Sequence, residues 1–466
     1  MTSAPGMLFR SRLRRPSLLL SLLALLLAAR PARAAGVTSY TGSFSDGAHY
    51  LIQVPANWNG TLLLYSHGYT PGPANPVPDL STSFGGPLLA EGFALAASNY
   101  ATTGWALEQA FVDQIAVLNK FAELVHAKPQ RTIAWGHSLG GIITAGLVQL
   151  HPDRFSGALP MCGVLGGGVG TWNGALDSSF VLKELLAPNS PLQVAHITNP
   201  FGNYLLSDQI VTQAQTTPAG RARIALAGAI NNLPGWYDPA TPEPGPHDYA
   251  AREFNQFLWL KSPDLVFSFA FRAELEARAG GNPSWNTGVD YRRQLARSID
   301  RDEVVALYKE AGLSLEADLR TLQHAPRISA DQHAFDYLAK NITFNGDLEL
   351  PVLTIHTTGD GLVPVENEQS YGRVVREEGE GRLLRQAYVH RAGHCSFTAG
   401  EMLAALGALI HRLDTGRWGD VTEPHRLNDA ANALGPPFNA APPAYVDYAP
   451  APYPRPFTGE QGDGDE

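Results

Sequence analysis

The segment Arg131–Gly141, R-T-I-A-W-G-H-S-L-G-G, holds a serine where it could act as a nucleophile. An apolar run leads into G-H-S-L-G, and a second apolar run, Ile142–Leu150, follows. This order predicts a strand, a sharp turn and a helix, with the serine on the turn. Glycine two positions before and two after the serine removes the Cβ atoms that would collide with the flanking elements. Ser138 is therefore the candidate nucleophile, with the backbone N–H groups of a helix N-terminus beside it.

A mostly parallel sheet is expected to hold this turn. Alternating apolar residues at 39–44 and 49–54 around S-D-G predict an antiparallel hairpin. Continuous apolar strands are predicted at 61–65, 93–97 and 158–161, with a helix at 108–126 that leads back to the Arg131 strand. Strands that alternate with helices predict a parallel sheet covered on both faces, hence an α/β fold.

Two later predicted strands are each followed, within a few residues, by a titratable side chain. Residues 351–356 form a buried strand that leads to Asp360, and residues 385–389 form a strand that leads to His394. An imidazole in this place would take the serine proton and return it to the leaving group, while the carboxylate would fix its tautomer and stabilise the imidazolium. Asp360, His394 and Ser138 are the expected catalytic set.

Each member of this set has an alternative. Asp360 could simply cap its turn, with Glu366 and Glu368 as reserve acids at the start of a helix. His390 is the nearest rival of His394 and is expected to be a structural strand residue. His137 adjoins the serine but is expected to point away from it and to serve packing.

The sequence resembles the α/β-hydrolase fold, in particular its secreted serine esterase and lipase-like members. The residues that carry the resemblance are His67-Gly68, the G-H-S-L-G-G segment, T-G-D-G-L-V-P at 358–364 and A-G-H at 392–394, in the chain order Ser, Asp, His. The resemblance implies an oxyanion hole made by the backbone N–H groups of Tyr69 and Leu139. It departs from the H-G-G-G pattern of some esterases, because Tyr69 stands in place of the second glycine.

Cys162 and Cys395 are the two cysteines of the chain. Each follows a predicted strand of the sheet, so both are expected at the same edge, one of them next to His394. In an exported protein an even count favours a disulfide, and two free thiols are the alternative.

The sheet pattern stops between residues 163 and 348, where helices are predicted at 179–186, 220–230, 249–259, 266–279, 301–311 and 331–339. We expect the core at 35–162 and 349–422, with this helical lid inserted after the sixth strand. Large aromatic residues in the insertion could line a substrate pocket or fill a core. The stretch 423–466 is rich in Pro and ends in acidic residues, and it is expected to be extended or disordered. Its Pro-rich portion could lie across the domain, and the acidic end is expected to be solvated.

Residues 1–34 carry a secretory signal pattern: arginines at 10, 12, 14 and 15, an apolar stretch at 18–29 and a small-residue cleavage site, Ala32-Arg33-Ala34. An uncleaved anchor is the alternative, and Arg14-Arg15 leaves the twin-arginine route open. Without this leader and its six arginines the chain has 28 Lys+Arg against 44 Asp+Glu, so neither nucleic acid nor an anionic membrane is expected as a partner. We expect an exported protein without a stable membrane anchor.

A secreted serine hydrolase of carboxylic esters is the expected function, with a small-molecule ester or a peptide as substrate. A peptidase or amidase with the same three residues is the alternative, and the lid shows no acidic cluster that would bind a substrate amino terminus. A catalytically silent binding protein on this fold is a further alternative. Metal-ligand spacings and dinucleotide or phosphate-binding motifs are not apparent, so no cofactor and no metal are expected.

Overall fold

The computed structural model describes residues 36–78, 80 and 85–459. The predicted signal peptide and the acidic end of the chain lie outside these residues. The described part forms a nine-stranded sheet with helices on both faces. The strands are β1 Val37–Ser43, β2 His49–Pro55, β3 Thr61–Ser66, β4 Ala94–Ser98, β5 Arg131–His137, β6 Gly157–Met161, β7 Val352–Gly359, β8 Leu384–Ala392 and β9 Tyr445–Val446.

The strand order is β1-β2-β4-β3-β5-β6-β7-β8-β9. Pairing is parallel from β4 through β3, β5, β6 and β7 to β8, and antiparallel at both edges, where the β1–β2 hairpin and β9 lie. The predicted hairpin and the mostly parallel sheet are confirmed, with strand ends displaced by a few residues. Since parallel strands end at one edge, the turns after β3, β5, β6, β7 and β8 meet there.

The helices, in chain order, are α1 Gly85–Ala90, α2 Leu107–Val125, α3 Leu139–Leu150, α4 Gly167–Leu186, α5 Pro200–Gln215, α6 Pro218–Ala229, α7 Tyr249–Trp259, α8 Arg272–Ala279, α9 Tyr291–Arg297, α10 Arg301–Glu310, α11 Leu315–His324, α12 Gln332–Lys340, α13 Glu366–Glu377, α14 Ala399–Thr415 and α15 Pro424–Ala433. Among these described helices, none is long and apolar enough to cross a membrane.

The two faces of the sheet have separate cores. Leucine and phenylalanine side chains of α2 and isoleucines of α3 pack on one face, and α1, α14 and α15 pack on the other. Strands that are apolar on both faces, such as β3 and β4, are buried by this arrangement, as their continuous apolar sequences predicted.

Helices α4 to α12 form the insertion between β6 and β7. Most of them share a third core, but Leu275 of α8 and Phe335 and Leu338 of α12 pack in the first core, on the sheet. The sequence patterns located several of them but missed α5, α9 and α11. They also placed the start of the first helix at residue 179, whereas α4 begins at Gly167. The run G-G-V-G-T-W-N-G at the start of α4 has glycines that a helix interior normally disfavours, so the packing around it overrides its low helix propensity.

The tail after residue 422 departs from the expectation of an extended or disordered segment at residues 424–433, which form α15, whereas residues 439–459 contain no helix and only the short strand β9. Helix α15 packs beside α14, β9 adds to the sheet next to β8, and Tyr453 is buried. Proline-rich sequence therefore has a defined path here because other elements supply the core that it lacks.

Candidate active site

Ser138 lies on the turn between β5 and α3 in a backbone conformation that side chains rarely adopt, with φ 58° and ψ −122°. Its N–H donates to the carbonyl of Met161 at 3.0 Å, which fixes the turn to the end of β6. A Cβ built on Gly136 would lie 2.5 Å from the Ser66 carbonyl oxygen, and one on Gly140 would lie 2.0 Å from the same atom. The two glycines are therefore required by close packing against the end of β3.

Asp360 and His394 come to Ser138 from the ends of two neighbouring strands. Asp360 directly follows β7, and His394 follows β8 after Gly393. The Nδ1 atom of His394 lies 2.7 Å from an Asp360 carboxylate oxygen, and its Nε2 lies 2.8 Å from the Ser138 hydroxyl oxygen. With the proton on Nδ1, the imidazole donates to Asp360 and accepts from the Ser138 hydroxyl.

The Asp360 carboxylate is fully buried and also accepts a hydrogen bond from the N–H of Val363 at 3.0 Å. Burial opposes ionisation, but His394 and His356 hold the pKa of Asp360 below its usual range. The carboxylate is therefore ionised at neutral pH and can stabilise an imidazolium on His394.

A second buried histidine, His356 on β7, lies behind Asp360. Its Nε2 is 3.6 Å from the carboxylate of Asp360 and 2.8 Å from the carbonyl oxygen of Val363, and its Nδ1 is 3.2 Å from Glu368. Burial disfavours the imidazolium, but hydrogen bonds and charges of Asp360 and Glu368 raise the pKa of His356 to about 10. We call the row from Glu368 through His356 to Asp360 the rear network.

Hydrogen bonds from two further side chains fix the outer end of the rear network. Thr354 donates to Glu368 at 2.5 Å, and Gln386 of β8 donates to the same carboxylate at 2.6 Å. Sequence analysis offered Glu368 as a reserve candidate for the catalytic acid, but in the structure its carboxylate lies against Nδ1 of His356. The signal that could have revealed this was a histidine inside the otherwise apolar strand V-L-T-I-H-T-T-G.

Of the two residues expected to supply the oxyanion donors, Leu139 directly follows Ser138, and Tyr69 lines the same cavity as Ser138. A Cβ built on Gly68 would stand 3.9 Å from the Ser138 hydroxyl oxygen, so the loop through His67, Gly68 and Tyr69 passes over the serine. Leu139 is the first residue of α3, so its N–H has no acceptor within the helix. The Tyr69 ring packs against Phe267 and Phe271 of the insertion, with centroids 5.0 and 5.4 Å apart.

Cys162 and Cys395 form a disulfide with their Cα atoms 5.3 Å apart. It joins the turn after β6 to the residue that follows His394, and the Cys395 sulfur lies 3.4 Å from Nε2 of His394. A buried ion pair from Arg391 of β8 to Glu401 of α14, with contacts of 2.7 and 3.0 Å, holds the other side of the same loop. The histidine loop is thus fixed at both ends.

The two rival histidines take other roles in the structure. Nε2 of His137 lies 3.0 Å from the Met402 sulfur, and burial lowers the pKa of His137 to about 4. His390 is half exposed on β8 and faces Glu243 at 3.1 Å. Neither ring takes part in the hydrogen-bonded row at Ser138.

A cavity of about 100 Å³ opens beside Ser138, between the sheet edge and the insertion. Its walls are mainly apolar and aromatic side chains, among them Tyr69, Trp105, Leu139, Trp172, Leu182, Leu260, Leu265, Phe267, Phe269, Leu362, Val363 and Tyr453. Of the large aromatic residues of the insertion, Trp172, Phe267 and Phe269 therefore line the site, whereas Phe254 is exposed. Tyr453, in the tail, and Asp264 also line this cavity, and no sequence pattern indicated either of them.

A strained serine in hydrogen-bond contact with a histidine and a carboxylate, on this parallel sheet, defines the class: the chain is a serine hydrolase of the α/β-hydrolase superfamily. It belongs to the family of the o-phthalyl amidase from Xanthobacter agilis, with which it is 32% identical over 430 residues, 85% of this chain and 91% of that protein. Residues 99–166, which include Ser138, match the prolyl oligopeptidase family of peptidases.

Solved structures of esterases also resemble the chain. The rice cell-wall-degrading esterase LipA from Xanthomonas oryzae is 13% identical, with a TM-score of 0.37 over 85% of this chain and 93% of that chain. An esterase from Aspergillus oryzae is 14% identical, with a TM-score of 0.38 over 82% of this chain and 80% of that chain.

Proposed function

We propose that the chain hydrolyses carboxylic esters and amides of aromatic or apolar acids through an acyl-enzyme on Ser138. The observation that carries this proposal is the row Ser138–His394–Asp360, with contacts of 2.8 and 2.7 Å. The apolar and aromatic cavity beside Ser138 supports an apolar acyl group.

In the first half-reaction the Ser138 oxygen attacks the carbonyl carbon while Nε2 of His394 takes the hydroxyl proton. The oxyanion that forms accepts hydrogen bonds from the N–H groups of Tyr69 and Leu139. The bond from carbon to the leaving oxygen or nitrogen then breaks, and His394 gives its proton to the leaving group. Water repeats these steps on the acyl-enzyme, which releases the acid and restores Ser138.

The ester and the amide are two candidate substrates for one mechanism. The catalytic row serves both, and the pattern of the sequence favoured esters. The relative that is 32% identical is named an o-phthalyl amidase, which supports the amide and an aromatic acyl group. We further propose that the helical insertion acts as a lid over Ser138. We also propose that the protein is exported, and the disulfide supports this second proposal.

The test compares 4-nitrophenyl benzoate with benzoyl 4-nitroanilide and follows labelling by a fluorophosphonate probe. We expect hydrolysis and labelling that disappear in Ser138→Ala, with kcat lower by roughly 10⁴-fold or more. Ser396→Ala, which changes a serine hydroxyl outside the row, is the matched control and should retain both signals. Labelling that persists in Ser138→Ala, or hydrolysis of neither substrate, would contradict the proposal.

A further inference from the structure

Two tryptophans in the wall of the cavity beside Ser138 leave their indole N–H groups unpaired. Trp105 and Trp172 both line this cavity, and they are only 4% and 3% exposed. Within the described part of the chain, neither of the two buried Nε1 atoms has a hydrogen-bond acceptor. The rings pack edge to face, with centroids 5.5 Å apart and planes at 76°, so the two donors belong to one section of the wall.

Two buried tryptophans outside the cavity lining follow the usual rule that a buried N–H group is paired. The indole N–H of Trp259 donates to the carbonyl oxygen of Trp236 at 3.0 Å, and that of Trp418 donates to the carbonyl oxygen of Arg382 at 3.1 Å. An indole N–H can only donate, and burying it unpaired costs free energy that a phenylalanine ring would avoid. The two cavity tryptophans thus retain donors for which the described residues supply no acceptor.

The backbone places both tryptophans at the sheet edge that carries the catalytic residues. Trp105 follows Gly104, whose N–H donates at 3.0 Å to the carbonyl oxygen of Thr70, the residue after Tyr69. Trp172 lies on α4, which begins a few residues after the end of β6. Because the same cavity holds the nucleophile, this section of the wall faces an acyl group bound there.

The charges near this section of the wall permit an anionic acyl group. Asp264 is the one acidic side chain among the described residues that line the cavity, and burial together with the charge of Asp360 raises the pKa of Asp264 well above its usual range. Its carboxyl group is then protonated at pH 7 and does not repel an anion. The Arg272 guanidinium lies 5.9 Å from the centre of the Trp172 ring and is paired with Glu276 at 3.2 Å, so this pair adds no net negative charge.

We propose that Trp105 and Trp172 form the polar anchor of the acyl-binding site and select acyl groups that carry acceptor oxygens, above all a carboxylate. Such a group supplies the acceptors that the protein leaves out, and it accepts stronger hydrogen bonds than a neutral oxygen does. An apolar substituent in the same place leaves both donors unpaired. The inference rests on the proposed function, because it assigns the acyl group to this cavity.

The test measures binding to the Ser138→Ala variant, so that it does not depend on turnover. The probes are benzamides with three substituents of similar shape, carboxylate, nitro and isopropyl, each in the 2-position and in the 3-position. By isothermal titration at pH 7 we expect the carboxylate in at least one position to bind roughly tenfold more tightly than its isopropyl counterpart. The nitro compound, whose oxygens are weaker acceptors, should bind with intermediate affinity.

Trp105→Phe and Trp172→Phe each keep an aromatic ring and remove one donor. Each substitution should reduce the preference for carboxylate over isopropyl by roughly threefold to tenfold, and the double variant should abolish it. Trp418→Phe is the matched control, since it removes an indole N–H that is paired with Arg382 outside the cavity lining. It should unfold at lower urea concentration and leave all affinities unchanged.

Nuclear magnetic resonance of the Ser138→Ala variant with isotope-labelled tryptophan detects the hydrogen bonds themselves. Saturation with the tighter carboxylate should move two indole N–H resonances to lower field, because each N–H gains an anionic acceptor. These two resonances should be the ones missing from the spectra of Trp105→Phe and Trp172→Phe. If a phenylalanine variant does not fold, as judged by circular dichroism, the titration of Ser138→Ala still decides, since it needs neither substitution.

Equal affinities for carboxylate and isopropyl in both positions, or failure of all probes to bind at millimolar concentration, would overturn the inference. Indole resonances that stay in place on saturation, or a preference that survives in the double variant, would do the same. Absence of ester and amide hydrolysis by the wild type, with the binding order intact, would instead refute the proposed function alone.

Discussion

At the scale of single residues, the site depends on a serine held in an unfavourable backbone conformation by its neighbours. A non-glycine residue with φ 58° and ψ −122° costs on the order of 1–3 kcal/mol. The hydrogen bond from Ser138 to Met161 and the packing of α3 offset this cost. The result is a hydroxyl that projects from the sheet edge toward His394 instead of into the core.

Gly140→Ala tests this close packing. The new Cβ would lie 2.0 Å from the carbonyl oxygen of Ser66 and 2.8 Å from that of His67, so either the end of β3 or the start of α3 must shift. We expect kcat/KM for 4-nitrophenyl benzoate to fall about 100-fold, since a shift of about 1 Å misplaces the nucleophile. The free energy of unfolding in urea should fall by about 1–3 kcal/mol.

Gly407→Ala is the control for that substitution, because no heavy atom lies within 4 Å of its new Cβ on α14. Alanine is the better helix former, so we expect unchanged activity and a gain of roughly 0.5–1 kcal/mol in unfolding free energy. Wild-type activity in Gly140→Ala would show that the turn tolerates a side chain and would contradict the packing argument.

At the scale of elements, the rear network couples β7 to α13 through a buried positive charge. His356→Gln removes this charge and leaves Asp360 and Glu368 as neighbouring buried carboxylates without it. We expect a loss of roughly 3–5 kcal/mol in unfolding free energy at pH 7. Because Asp360 loses a group that lowers its pKa, the acid limb of the kcat/KM profile should also move to higher pH.

The pH dependence of stability provides a second test of His356. Its pKa in the folded chain, about 10, lies above the ordinary histidine value of 6.5, so its contribution is complete below pH 6.5 and is lost as the pH rises toward 10. Urea unfolding from pH 6.5 to 10 should therefore show the difference between wild type and His356→Gln becoming smaller. A difference that stays constant with pH would mean that His356 is neutral.

His390→Gln is the matched control on β8, since this histidine is half exposed and pairs with Glu243 near the surface. Exposed ion pairs contribute little, so we expect a change below about 1 kcal/mol and an unaltered kcat/KM profile. An equal effect of the two substitutions would contradict a special role for the rear network.

The disulfide connects two elements that are 233 residues apart in sequence. In the chain-entropy model a loop of this length corresponds to about 5 kcal/mol of stabilisation through the unfolded state. We expect the double variant Cys162→Ser, Cys395→Ser to unfold at lower urea concentration and to lose activity, because His394 adjoins the released loop. Thiol titration of the denatured wild type should find no reactive thiol, and two reactive thiols would exclude the bridge.

The sequence predicted the elements that follow local rules, and it missed contacts that depend on distant segments. Strand alternation and the G-H-S-L-G turn were sufficient to place Ser138, Asp360 and His394 at one sheet edge. The partners of His356 and the position of Asp264 in the cavity are set by how β7, α13 and the insertion pack together. No local pattern encodes such packing. The same reason explains why the sequence left open whether the proline-rich tail lies across the domain and did not predict α15 or β9.

At the scale of the whole molecule, the C-terminal segment joins the insertion to the sheet. The Arg455 guanidinium lies 2.6 Å from the buried carboxylate of Asp177 on α4 and 3.1 Å from the carbonyl oxygen of Trp285. Two residues earlier, Tyr453 lines the cavity, and its N–H donates to Gln369 of α13 at 3.0 Å. The tail therefore forms part of the cavity wall and spans two layers of the molecule.

Arg455→Met tests whether this anchor holds the cavity wall. The substitution preserves much of the side-chain length but leaves Asp177 buried without its cation, so we expect a loss of about 2–4 kcal/mol in urea unfolding. Adding Asp177→Asn should restore part of that loss, because the variant no longer buries an unpaired carboxylate. KM for 4-nitrophenyl benzoate should rise more than kcat falls, since Tyr453 shifts while Ser138 and His394 keep their positions.

Arg373→Met, which breaks a more exposed ion pair with Glu377, should change neither stability nor KM appreciably. Equal effects of Arg455→Met and Arg373→Met would show that the tail does not hold the cavity wall.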